Sequence, residues 1–487
     1  MDSRTVSAER TVRDAPTAAA TLKPNALGVL GILFFVLSGQ APLTGIAGAA
    51  PISVAIGNGS GTPAAYVLAG AVILLFSVGF VAMGRHVVDA GAFYTYIGTG
   101  LGRTAGAGSA GVALFSYCVI QAAMYGLYGS IVSALVADHT SLDLPWWACA
   151  LVTMAVVQAL GAAGIEMGAR VLAVFVLAEF SILLVFGLVT LFKGGGPEGL
   201  GVADSFSPSA ALQGAPGVAV MFAVASMFGF EATAIYGEEA KEPKKTVPRA
   251  TYLSVVVVTG FFALTSWTLI SAYGASRAPA AAGEALASGD SAGFVFAPIA
   301  AQFGGWVGDV LPVLLATSLF AGILTFHNSA NRYLFSLGRD RQLPAGLCRL
   351  NSRHAPWVAG CAQTVAALAL VLPFALAGED PVVTLFSWFS GLAVLAMMLL
   401  YLLTSVSVVV FFRRRRVDGR LWNGLVAPVL GALGLAGAIW LILANFTTLI
   451  GGSVSTALWL VLSVPVVMAL GVANKLVRDR RAANPAG

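Results

Sequence analysis

Apolar runs of about 20 residues, the length that crosses a bilayer as a helix, recur along the whole chain and are separated by short polar segments. They predict twelve transmembrane helices over about 26–56, 63–83, 105–137, 146–163, 168–192, 215–237, 249–273, 305–336, 356–377, 382–411, 424–447 and 455–475. Several runs carry Gly and Pro, which membrane helices tolerate when neighbours satisfy the freed backbone groups. The pattern describes one all-α integral membrane domain, 26–475, between a polar tail at 1–25, read as disordered, and a short tail at 476–487. No signal-peptide pattern precedes the first run.

Composition agrees. Of 487 residues, 58% are hydrophobic and 10% charged, against about 25% charged in a soluble domain. That excludes a soluble globular enzyme, a disordered protein and a nucleic-acid binder. The net charge of +5 reflects orientation. With the N-terminal tail inside, 25 of the 27 Lys and Arg fall in inside segments, and only Lys193 and Arg277 fall outside. This asymmetry predicts cytoplasmic termini and supports the even helix count. The Arg413–Arg416 run after the tenth span reads as a positive-inside anchor. Cys118, Cys149, Cys348 and Cys361 show no CxxC spacing and read as thiols without metal or disulfide roles. No metal or cofactor is expected. Abundant Ala, Gly and Val, with more Arg than Lys, suit a high-GC bacterium, and hence its inner membrane.

Two spans are interrupted. The first contains SGQAPLTGIAGAAP, Ser38–Pro51, too rich in Gly and Pro for one continuous helix. The sixth contains FAVASMFGFEATAIYG, Phe222–Gly237, with Gly229 and the acid Glu231 at mid-membrane. The spans that follow them open alike, with Thr62-Pro63 and Thr246-Val247-Pro248, each read as a Thr cap with Pro in the first turn. An offset of five spans makes the two halves opposite in orientation. Interrupted helices at matching positions of two inverted halves point to a secondary transporter. The repeats are expected at about 26–192 and 215–411, with two extra helices at 424–475.

A break frees N–H groups at one half-helix and C=O groups at the other, attracting anions and cations respectively. A zwitterionic amino acid satisfies both. Its carboxylate is expected on amides near Ile46, Ala47 and Gly48, and its ammonium on carbonyls near Ser226, Met227 and Gly229.

Three stretches resemble one family. GFEATAIYGEEAKEPKKTVPRA (Gly229–Ala250) is similar to the sixth helix and following loop of amino acid–polyamine–organocation permeases. DAGAFYTYIGTGLG (Asp89–Gly102) resembles their loop between helices 2 and 3, and NRYLFSLGRDRQLP (Asn331–Pro344) the end of their eighth helix. The resemblance spans about 25–475. It implies a five-plus-five inverted repeat with discontinuous helices 1 and 6 plus two helices, alternating access, and import or exchange of amino acids, amines or polyamines. It also implies that Thr44, Gly45, Ile46, Ala47 and Gly48, with Ser226, Met227, Gly229, Phe230 and Glu231, hold the substrate. Many proton-coupled members carry a Lys in the middle of helix 5, where this chain has Glu179.

Glu179 and Glu231 are the two acids deep in spans. Each costs at least about 2.5–3.5 kcal/mol on insertion scales, so each is expected to face a cavity. Glu231 reads as a gating, proton or substrate group, or as a carboxylate that ties up free amides of the broken helix. Glu179 reads as a proton-coupling group, or as a partner of a polar group on span 1 or 8. His327 reads as a proton-coupling or gating group, or as a helix–helix hydrogen bond. The run from Glu238 to Lys245 reads as a solvated loop or a gate. Tyr117, Gln121, Tyr125 and Tyr128 on span 3, Phe228 and Phe230 on span 6 and Trp388 on span 10 are candidate lining residues, with Tyr125 and Phe230 foremost.

The partners expected are a small amine-bearing solute, the bilayer, and a proton in preference to sodium. Two buried acids lean toward cationic substrates such as polyamines. A ligand-binding nutrient sensor, or a sodium-coupled transporter of the same fold, is the alternative. No HExxH, nucleotide-binding loop or deep His/Asp cluster supports an enzyme or catalytic residues.

Overall fold

The computed structural model describes residues 27–87, 93–164, 169–231, 233, 240–415, 420–452 and 454–483. The expected tail at 1–25, Asp89 of the second motif, Glu238, Glu239 and Arg416 lie outside the described residues.

The described chain is almost entirely helical, without strands. Its principal helices are α1 (Val29–Gln40), α2 (Pro42–Ala47), α3 (Thr62–Gly84), α4 (Phe93–Leu101), α5 (Arg103–His139), α6 (Trp146–Ala163), α7 (Ala169–Phe192), α8 (Pro216–Ala225), α9 (Pro243–Tyr273), α10 (Val307–Arg339), α11 (Trp357–Ala377), α12 (Ser387–Arg415), α13 (Ala427–Ala444) and α14 (Val454–Ala483). Among the described residues, nine helices are long and apolar enough to cross a membrane. The fifth expected span is α7, and the first and sixth appear as the shorter apolar helices Pro42–Gly57, which follows α1, and Pro216–Ala225. The last helix runs to Ala483, so the described part of the expected C-terminal tail is helical.

Two local expectations need correction. Thr62 is the first residue of its helix and not its cap: its hydroxyl donates to Gly59 O at 2.8 Å. The later helix opens at Pro243, a turn before the expected start, with Pro248 inside it. Pro248 is tolerated because its missing N–H affects only the first turns, near the water-facing basic end. The loops also hold helices that the hydropathy pattern did not separate, among them α4, Ala278–Ala287 and Gly293–Phe303.

The packing brings the two interrupted helices together. α3 lies along α9, and a Cβ on Gly70 would run into Thr259 Oγ1. Missing side chains let these backbones approach, as membrane helix interfaces require. α1 packs on α9 and α10, and α8 on α3, α12 and α13. At the basic end Leu27 pairs with Ala240 as a parallel bridge, and the Lys241 amide donates to Leu27 O at 2.7 Å.

Candidate functional site

The first break lies between α1 and α2. Ala41 takes φ 44°, ψ 77°, left-handed values rare for a residue with a side chain, and Pro42 opens α2. A proline at the first helical position needs no N–H partner and has the helical φ already. The break therefore sits upstream of the expected amides. Ile46 and Ala47 lie inside or at the end of α2, and the Gly48 amide donates to Thr44 O at 2.8 Å. The open amide end of α2 is at Leu43 instead, whose N–H lies 3.5 Å from Glu179 Oε2. Thr44, Gly45 and Ile46 are buried there.

The second break follows α8. Ser226 caps the helix, the Met227 amide donates to Val224 O and the Phe228 amide to Ala225 O. The chain then reverses at Gly229, φ 104°, a backbone angle that favours glycine. The Gly229 amide, freed by the break, donates to Glu231 Oε2 at 3.1 Å. Tyr401 donates to the same oxygen at 3.2 Å, and Tyr117 to Oε1 at 3.3 Å. Glu231 is fully buried, with three donors around its two oxygens. Phe230 is turned into an aromatic cluster with Phe76, Phe80 and Tyr401.

Two side chains join the breaks. Gln40 Nε2 lies 3.5 Å from Met227 O. The Tyr66 hydroxyl sits 3.4 Å from Gly45 O and 3.3 Å from Ser226 Oγ, and its ring stacks on Phe262 at 5.4 Å.

Glu179 on α7 reaches the first break from the side. Ser318 on α10 faces it, outside hydrogen-bond geometry. Among the described residues, Glu179 Oε1, Thr44 Oγ1 and Gln40 Oε1 are buried without a hydrogen bond.

His327 belongs to a separate network. Cys118 donates to Gln363 Oε1 at 3.1 Å, and Gln363 Nε2 to Gln121 Oε1 at 2.6 Å. Gln121 Nε2 then faces the Tyr125 hydroxyl at 3.3 Å and His327 Nδ1 at 3.4 Å. Gln121 thus faces Nδ1 of the imidazole with its amide nitrogen, and His327 Nε2 is buried without a hydrogen bond among the described residues. Among the described residues no hydrogen bond joins His327 to Glu179: His327 meets Gln121 on α5, and Glu179 meets the start of α2. Gly161 leaves the space for the imidazole: a Cβ there would lie 3.0 Å from its Cδ2.

Of the lining candidates, Tyr117, Gln121 and Tyr125 enter these networks. Tyr128 packs on Phe320, and Trp388 donates to Ile450 O at 3.0 Å, away from the breaks. Sequence reasoning missed Gln40, Tyr66, Gln363 and Tyr401 as site residues. Gln363 and Tyr401 are polar groups within apolar runs, a signal read for Glu, His and Gln121 but not applied to them.

Comparisons with known proteins converge. The model of the amino acid permease family matches residues 27–470. The branched-chain amino acid permease BcaP of Lactococcus lactis is 29% identical over 172 residues, 34% of this chain and 33% of that protein. The histidine permease of Saccharomyces cerevisiae is 26% identical over 299 residues, 57% of this chain and 47% of that protein. The serine/threonine exchanger SteT of Bacillus subtilis is 22% identical over 389 residues, 79% of this chain and 82% of that protein. The match thus spans a third to about half the length of the first two relatives.

Proposed function

The chain belongs to the amino acid permease family, and on that premise we propose that it is a secondary active transporter of a neutral α-amino acid. It works by alternating access across the cell membrane, with both termini cytoplasmic, and is driven by protons. The substrate's α-carboxylate and ammonium lie between the start of α2 and the carbonyl-rich turn after α8, where a zwitterion answers both half-helix ends. The observation that carries the neutral class is the Glu231 contact set. Its oxygens already accept from Gly229, Tyr117 and Tyr401, so a second cationic group on the substrate finds no open carboxylate at this break. This replaces the lean toward polyamines. The three relatives are named for branched-chain amino acids, histidine, and serine and threonine.

In this reading Glu231 gates by holding the turn after α8, His327 orients Tyr125 through Gln121, and Glu179 carries the proton. A proton adds to Glu179 Oε1 without displacing a hydrogen bond, and its arrival changes what Oε2 offers the Leu43 amide at the start of α2. Titration and the first break are thereby linked.

The test is uptake into liposomes from a panel of neutral and basic amino acids and polyamines, under an imposed pH or sodium gradient. Neutral amino acids should accumulate with the pH gradient. Glu179→Gln should leave exchange near wild type and reduce net uptake about tenfold, with a flattened pH profile. Strict sodium dependence would overturn the coupling assignment. A panel with no amino acid transported or stabilising the protein would overturn the function.

A further inference from the structure

Away from both breaks, α5 and α14 cross with their backbones in contact. A Cβ on Gly471 would lie 2.6 Å from Ala107 O and 3.0 Å from Gly108 Cα. A Cβ on Gly108 would meet Met468 and Val472 at 3.1 and 3.0 Å. Small residues allow such a crossing. Beside it opens a crevice between α5, the end of α10 and α14. Leu114, Leu337 and Leu343 make its apolar wall. Its floor is fixed, because the amides of Gln342 and Leu343 both donate to Leu337 O, at 2.8 and 3.2 Å. Asn474 Nδ2 donates to Gln342 O at 3.1 Å, tying α14 to that turn.

The rim is basic. Lys475 and Arg478 line it, about 6 and 10 Å along α14 from Gly471 at 1.5 Å per residue. Lys475 does not extend into solvent as an interfacial lysine usually does. Its side chain is only 20% exposed, and its ammonium lies 2.5 Å from Asp479 Oδ1. Lysine and aspartate cancel, so Arg478 leaves one net positive charge above an apolar slot. The slot lies at the membrane face rich in Lys and Arg, where basic pockets between helices receive lipid headgroups.

We propose that this crevice binds a monoanionic glycerophospholipid of that leaflet. The phosphodiester sits against Arg478 and the Lys475 ammonium, and the first acyl carbons lie along Leu114 and Leu337. Charge complementarity selects the anion, and the apolar wall selects a lipid over a soluble phosphate. The inference does not depend on which solute is transported.

The experiment uses the full chain, delipidated in detergent. Phosphatidylglycerol, phosphatidylcholine and inorganic phosphate are added separately, with bound lipid counted by native mass spectrometry and melting followed in parallel. Phosphatidylglycerol should bind one-to-one and raise the melting temperature, and the other two should not. The K475Q/R478Q double variant should bind it at least about tenfold more weakly, at about a kcal/mol per basic residue, while melting normally in phosphatidylcholine. Should that variant misfold, R478Q alone, which changes a partly exposed side chain, should show an intermediate loss. Equal binding by wild type and R478Q, equal effects of phosphatidylcholine, or the full shift with phosphate alone would each overturn the proposal.

Discussion

Glu231→Ala should abolish amino acid uptake and destabilise the protein by about 2 kcal/mol or more beyond Glu231→Gln. The comparison isolates stranded donors. Both substitutions remove the buried carboxylate, so relief from its desolvation is common to them. Glutamine keeps one carbonyl oxygen, which takes the place of Oε2 and still accepts from Gly229 N–H and Tyr401. The Tyr117 hydroxyl, at 3.3 Å on the other side, rotates to accept from the new amide. Alanine removes the oxygen that accepts from both the Gly229 amide and the buried Tyr401 hydroxyl. Each unsatisfied buried donor costs about 1–3 kcal/mol. Melting curves with the two variants side by side, and uptake in liposomes, read the difference. An alanine variant that melts and transports like the glutamine variant would mean that the turn after α8 is held by something else.

The second large effect is expected at Gly45. A methyl there would lie 2.5 Å from Cε1 and Cζ of Phe262, well inside contact distance. Phe262 is buried and stacked on Tyr66 at 5.4 Å, so it has no free direction in which to retreat. Overpacking of this kind costs about 1–3 kcal/mol. The displacement is transmitted to the Tyr66 hydroxyl, which sits between Gly45 O and Ser226 Oγ. Gly45→Ala should therefore reduce uptake by more than about tenfold, since about 1.4 kcal/mol suffices for that factor. Phe262→Leu in the same chain should restore a substantial part, because the smaller side chain clears the methyl. Wild-type uptake in Gly45→Ala, or a double variant no better than the single one, would remove Tyr66 as the link between the breaks.

Much of this architecture was legible in the sequence because membrane helices announce themselves by length and apolarity. The helix at Trp146–Ala163 begins and ends where the hydropathy pattern put it. The second break was legible too: Gly229 supplies the backbone angle, and an acid within an apolar run marks a place where polar groups converge. The first break falls inside the stretch read as interrupted, Ser38–Pro51, but a few residues before the amides of Ile46, Ala47 and Gly48 expected to be free. Gly45 and Gly48 are glycines for a different reason, the close approach of Phe262 at the first and of Leu127 at the second. The better local signal was Pro42, which belongs at the first position of a helix and so marks where α2 starts. The roles of Tyr66 and Tyr401 were not legible, since their partners Ser226 and Glu231 stand 160 and 170 residues away in sequence. No local pattern encodes such a pairing. Helix α4 escaped for a simpler reason: nine residues are too few for a span.

The bridge between Leu27 and Ala240 is made by main chain alone, with the Lys241 amide on Leu27 O. Such a joint does not depend on the exposed side chain at 241, which is free to drift over evolutionary time while the base of α1 stays fastened to the segment after the second break. One exception follows from chemistry: proline at 241 has no hydrogen to give. Among natural variants of this chain, position 241 should accept nearly every residue type and exclude that one.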